Sequence, residues 1–262
     1  MKTYSLDPLL EADGRARMEA AVQRLYAMTN LEPPSSSSST YIVPLGKIIE
    51  SLPGIVTISE VSDLTYKKAA AFLRDEIAHD VSVPDHADQR LDGLLYAWFD
   101  EDVLYAFILI CSGGLVERRR FTVAHELGHL ILHVLLPKED AARPSLFVEG
   151  FIDSKDNKTE AVERSDESER EDSDAADTFA HAEAFTDEGA PVSLPPIEVM
   201  EHEADAFAAT LLMPENLCRS LTAVHKDDIG SRRTVLIRRL AVDLLVSKTA
   251  MQRRLETLNI GS

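Results

Sequence analysis

At 262 residues with 45% hydrophobic residues, the chain is long enough for one sizeable core, or for one domain with a small accessory. A formal net charge of −18 argues against general nucleic-acid binding, which needs a basic footprint for phosphate contacts. No apolar run reaches bilayer length and the start lacks a secretory pattern. Cys111 and Cys218, the only cysteines, form neither a C-x-x-C pair nor a disulfide framework, so a cytoplasmic protein is expected.

In chain order, Asp7 to Asn30 predicts a helix opened by Asp7-Pro8, with Leu10, Met18, Val22, Leu25 and Tyr26 as its apolar stripe. Pro33 to Ser39 reads as a polar linker or long loop. Pro44 to Leu52 predicts a short helix, and the β-branched run Ile55 to Ile58 a strand. A further helix is expected from Thr65 to about His79. Gly93 to Phe99 and Val103 to Ile110 predict two strands joined as a hairpin through Asp100-Glu101-Asp102. The fold class is α+β, a small antiparallel or mixed sheet packed on helices.

After Ser112-Gly113-Gly114, the basic run Arg118-Arg119-Arg120 is expected to lead into a helix for which Thr122 supplies the cap. This helix carries His125-Glu126-Leu127-Gly128-His129. Histidines four residues apart project from one helical face, so His125 and His129 can reach one Zn²⁺. Glu126 then stands beside the open coordination position, able to take a proton from the attacking water and pass it to a leaving amine. Gly128 leaves room for close packing. His133 lies about 12 Å from His125 along a straight helix axis, too far to share the metal, and is expected at the helix end or behind a ligand.

A zinc enzyme keeps three protein ligands, so a third is required. The spacing of His181 and His202 does not recommend them. The helix expected from Ile197 to Met213, stopped by Pro214, carries Glu201 and Asp205 one turn apart on the face of Ala204 and Ala208. Those small side chains permit a close approach. Glu201 is therefore the expected third ligand, and Asp205 the acceptor that orients a liganding histidine. Glu203, about 200° round the wheel from Glu201, is expected to be an ordinary solvated charge.

Between these helices, residues 153–188 hold fourteen acidic against four basic side chains, a net of −10, and too few apolar residues to order themselves. Beyond Pro214 the chain turns basic and helical. Residues 240–255 read as helix, tight turn at Val246-Ser247, and helix, with Ser247 as N-cap of the second.

The stretches Arg119 to His129 and Glu201 to Pro214 resemble the ImmA/IrrE family, within the wider thermolysin-like (gluzincin) pattern of His-Glu-x-x-His followed by Glu-x-x-x-Asp. The resemblance extends over residues 41–136 and 196–258. It implies a zincin-like core and a zinc metallo-endopeptidase with His125, His129 and Glu201 as ligands and Glu126 as general base. The substrate it implies is a helix-turn-helix repressor of phage, mobile-element or stress genes. Strands before the metal helix in this family often end near an asparagine; Cys111-Ser112-Gly113 stands there instead.

The organisation expected on this basis is an N-terminal helix and serine-rich linker (1–40) and a peptidase core with the metal helix (41–136). An acidic insert (137–195), the third-ligand helix (196–216) and a C-terminal helix-turn-helix-like region (217–262) follow. Other readings are a zinc-containing regulator that binds a repressor without cutting it, a DNA-binding regulator working through Arg253 and Arg254, and a toxin-like peptidase with another substrate. Direct DNA binding is not favoured, because the overall charge opposes it. No Tyr or His stands out as a stabiliser of the oxyanion.

Overall fold

The computed structural model describes residues 12–78, 81, 83, 85–139, 151–153, 196–229 and 233–260. Among these, α1 (Ala12–Thr29), α2 (Leu45–Glu50), β1 (Ile55–Val61), α3 (Tyr66–Ile77), β2 (Gly93–Asp100) and β3 (Val103–Cys111) come first. The helix α4 (Val116–His129) runs on through a π-helical stretch, Leu130–Leu135, into the short α5 (Leu136–Glu139). Then come β4 (Phe151–Asp153), α6 (Ile197–Leu212), α7 (Glu215–Ile229), α8 (Arg233–Leu244) and α9 (Lys248–Thr257).

The strands form one mixed sheet in the order β1-β3-β2-β4, with β1 parallel to β3 and the other two pairings antiparallel. The β2–β3 hairpin closes at Asp100 opposite Val103, with Glu101 in the left-handed region at φ 52°. Strand β2 is apolar on both faces because both faces are covered. Leu95 and Ala97, with Ala106, Ile108 and Ile110 of β3, join the main helical core; Leu94 and Tyr96, with Phe107 and Leu109, pack instead with Tyr66, Ala69 and Leu73 of α3. Thr65 caps α3, its hydroxyl accepting from Lys68 N at 3.2 Å.

The expected α+β architecture is observed, with two local differences. The helix α4 begins at Val116, so Thr122 is interior and donates its hydroxyl to Arg118 O at 3.2 Å instead of capping. The basic run lies inside the helix as well. Arg118 pairs with Asp92, Arg119 with Glu60, and Arg120 donates to Val43 O, so the first turns of α4 are tied to the sheet and to the segment before α2. The proposed cap failed because those three arginines look like a solvated approach until their partners, distant in sequence, are known. The Asp7-Pro8 helix start, His79 and nearly all of the acidic run 153–188 fall outside the described residues.

The C-terminal pair α8–α9 forms the expected helix, turn and helix. Leu245 takes φ 52° at the turn, and the Ser247 hydroxyl accepts from Ala250 N at 3.1 Å. Leu236, Ile237, Leu240, Leu244, Met251 and Leu255 all enter the same core as α1, α4 and α6. Arg254 is 3% exposed and donates through Nε to Met213 O at 2.9 Å, tying α9 to the carbonyl at the end of α6. It is therefore unavailable to DNA; Arg253 is exposed. Replacing Arg254 with Ala strands a buried carbonyl and should lower unfolding free energy by about 2–3 kcal/mol. Arg253→Ala should stay within about 0.5 kcal/mol of wild type. Urea unfolding compares the two, and equal midpoints would contradict the assignment.

No helix among the described residues is long and apolar enough to cross a membrane.

Candidate metal centre

Helical spacing sets His125 and His129 on one face of α4, and the opposing helix α6 brings Glu201 to them. The approach is close because both helices are bare at the crossing. A Cβ on Gly128 would stand 3.1 Å from Ala204 Cα and 3.1 Å from Ala204 O. Any larger residue would push the helices apart.

Three residues converge there. His125 Nε2 and His129 Nε2 are 3.1 Å apart, His125 Nε2 lies 3.3 Å from Glu201 Oε2, and His129 Nε2 lies 3.2 Å from Glu201 Oε1. On a tetrahedron with metal bonds near 2.1 Å, ligand atoms sit roughly 3.4 Å apart, and each of these contacts, one Glu201 oxygen to each histidine, is close to that spacing. Two imidazoles and one carboxylate are the donor set of a catalytic zinc with its fourth position open. All three residues are buried. Among the described residues, no other group of three or more His, Cys, Asp or Glu side chains has this convergence.

Asp205 completes this face. Its Oδ1 accepts from His125 Nδ1–H at 2.8 Å, which leaves Nε2 to face Glu201 and His129. Glu126 is fully buried, one residue after His125. Beside it is Gly93, at the start of β2, where a Cβ would lie 2.7 Å from Glu126 Oε1 and 2.4 Å from the Thr122 methyl. The missing side chain makes the space in which the Glu126 carboxylate sits. Gly93→Ala should therefore displace Glu126 and cost about 1–3 kcal/mol of stability. Thermal melting checks the second effect, and an unchanged melting temperature would contradict it.

Without metal, burial works against charge on His125, but Asp205, Glu201 and Glu126 outweigh it and hold its pKa well above the usual histidine value. Burial pushes His129 the other way, down to about 4 despite Glu201. Glu201 feels burial upward, yet His129 and His125 bring it down to about 2. At neutral pH the metal-free site thus holds a protonated His125, a neutral His129 and an ionised Glu201. A metal needs both Nε2 atoms bare, so binding must expel the His125 proton. Zinc affinity should rise with pH through neutrality, with about one proton released from His125 per zinc. Calorimetry in buffers of different ionisation enthalpy measures this, and zero release would contradict it.

His133 lies outside the ligand set, behind His129. Its Nδ1 is 3.2 Å from His129 Nδ1, and its Nε2 is 3.1 Å from Glu203 Oε2. Glu203 is not the solvated charge that its wheel position predicts: it is buried, and its Oε1 accepts from Arg17 of α1. A helix with one wet back would leave Glu203 in solvent. In the fold, α6 is packed between α4 on one side and α1 with the π-helical stretch on the other. Arg17 and the place of Gly93 beside Glu126 had no signal in the sequence, and the partners of Glu203 had one, His133 at helical spacing from His129. His202 is exposed and away from the cluster, and His181 lies outside the described residues. Cys111 is partly buried and Cys218 buried; both are free, and burial pushes the Cys218 thiol up to about 11.

A search among curated proteins finds no match to the chain. A family model for the IrrE N-terminal-like domain, peptidase family M78, matches residues 91–151 and 151–256. This stretch holds the β2–β3 hairpin, the metal cluster and the C-terminal helices; α1, which supplies Arg17, precedes it. With more than half of its length matched, the chain belongs to the IrrE N-terminal-like family of M78 metallopeptidases, in line with its resemblance to ImmA/IrrE proteins.

Proposed function

We propose that the protein is a zinc-dependent endopeptidase that cuts a helix-turn-helix transcriptional repressor and so relieves repression of phage, mobile-element or stress genes. The observation that carries this reading is the convergence of His125 Nε2, His129 Nε2 and the Glu201 carboxylate within 3.3 Å, with Glu126 in the same helix. When bound, zinc supplies the Lewis acidity that activates water and polarises a peptide carbonyl.

The rest is done by the chain's own groups. His125, His129 and Glu201 hold the ion, and Asp205 keeps the His125 proton on Nδ1, away from the metal face. Glu126 accepts the proton of the attacking water on its carboxylate and delivers it to the leaving amine. Its burial keeps bulk water from competing for that carboxylate. A repressor substrate places the action in the cytoplasm.

The test is co-expression of the chain with helix-turn-helix repressors encoded near it, followed by immunoblotting. A repressor lost with wild type but retained with Glu126→Gln supports the proposal. Retention of every repressor with the wild type would count against it, and equal derepression by both forms would favour control by binding alone.

A further inference from the structure

Behind the metal centre, a line of polar groups runs on from His129 through side chains that zinc ligation itself does not need. His129, His133 and Glu203 are 0%, 3% and 8% exposed, and the line ends at the half-exposed Arg17 on α1. Polar groups at this depth are costly unless each donor meets an acceptor.

We propose that His133, Glu203 and Arg17 are positioning residues that lock the His129 ring with Nε2 bare, and that they tie α1 to the metal centre. The inference rests on the zinc site proposed above. If His129 Nε2 faces the metal beside His125 Nε2 and Glu201, its proton must be on Nδ1. Among the described residues, the partner facing that N–H is His133 Nδ1 at 3.2 Å, which can accept only if bare. His133 then carries its proton on Nε2 and donates to Glu203 Oε2 at 3.1 Å. The other Glu203 oxygen is held by the Arg17 guanidinium. Every step has a donor facing an acceptor, and reversing any one places two protons or two lone pairs against each other.

The two liganding histidines are thus oriented differently. His125 meets a carboxylate directly, through Asp205. His129 reaches one through an intervening imidazole, and that carboxylate is held by Arg17 of α1, a helix that supplies no ligand. The π-helical turn after His129 is where His133 takes its place in this line.

The direct test is long-range nitrogen–proton NMR of the zinc-loaded full chain. The relay requires the proton of His129 on Nδ1 and that of His133 on Nε2; a proton on His133 Nδ1 would overturn it without any substitution. Chelator competition gives the second measurement. His133→Phe, which keeps the bulk but not the acceptor, should raise the zinc Kd about 10–100-fold, as loss of a ligand's hydrogen-bond partner does elsewhere. Glu203→Gln and Arg17→Met should each give a smaller rise, in that order. Wild-type zinc affinity in a folded His133→Phe protein would overturn the relay alone. A wild type that binds no zinc through His125, His129 and Glu201 would instead remove the metal reading on which the relay stands.

Discussion

Glu126→Gln is expected to reduce peptide-bond cleavage by about 10²–10⁴-fold, the usual contribution of a positioned general base. The substitution is nearly isosteric at a fully buried position, so packing against Gly93 and Thr122 should be kept. An amide cannot accept the water proton. Glu126 is not among the three converging donors, so zinc content should remain close to one ion per chain. The loss should appear in turnover of any repressor that the wild type cuts, read on gels and by mass spectrometry of the fragments. A Glu126→Gln protein that holds zinc and cleaves at the wild-type rate would mean that another group carries the proton.

Glu201→Ala should have a different signature, because it removes the proposed third ligand. Zinc affinity should fall by more than about 100-fold, beyond the effect of losing a ligand's outer partner, and activity should fall with it. The change also reaches the metal-free protein. The Glu201 carboxyl is held at about 2, below its ordinary 4.5, by the neighbouring histidines. A depressed carboxylate stabilises the fold above its ordinary range, and that contribution disappears as pH falls from 4.5 toward 2. The metal-free wild type should therefore lose more stability than Glu201→Ala across that interval in acid denaturation. Parallel acid profiles, or undiminished zinc binding by Glu201→Ala, would exclude Glu201 from the site.

Much of the arrangement was legible in the chain because its signals are local. Four-residue spacing puts His125 and His129 on one face of α4, and Ala204 and Ala208 mark the face by which α6 approaches. The hairpin could be read from its β-branched and aromatic runs on either side of three acidic turn residues. What escaped depends on contacts between residues far apart in sequence. Arg118 and Arg119 look like solvated charges until Asp92 and Glu60 are placed beside them. Arg254 looks like one of a basic pair, yet the fold buries it against the end of α6. Glu203 reads as wet because a helical wheel assumes one dry face, and α6 is covered on two sides. Nothing within α6 announces Arg17, 186 positions away along the chain.

In the proposed site, α4 and α6 together hold one zinc ion. X-ray absorption on the purified chain loaded with one equivalent of zinc tests it most directly, with His129→Ala and Glu201→Ala as controls. Two imidazole nitrogens and oxygen ligands are expected at about 2.0–2.2 Å, with one imidazole lost in His129→Ala. Sulfur in the coordination shell, or a spectrum that neither substitution alters, would place the zinc elsewhere and contradict it.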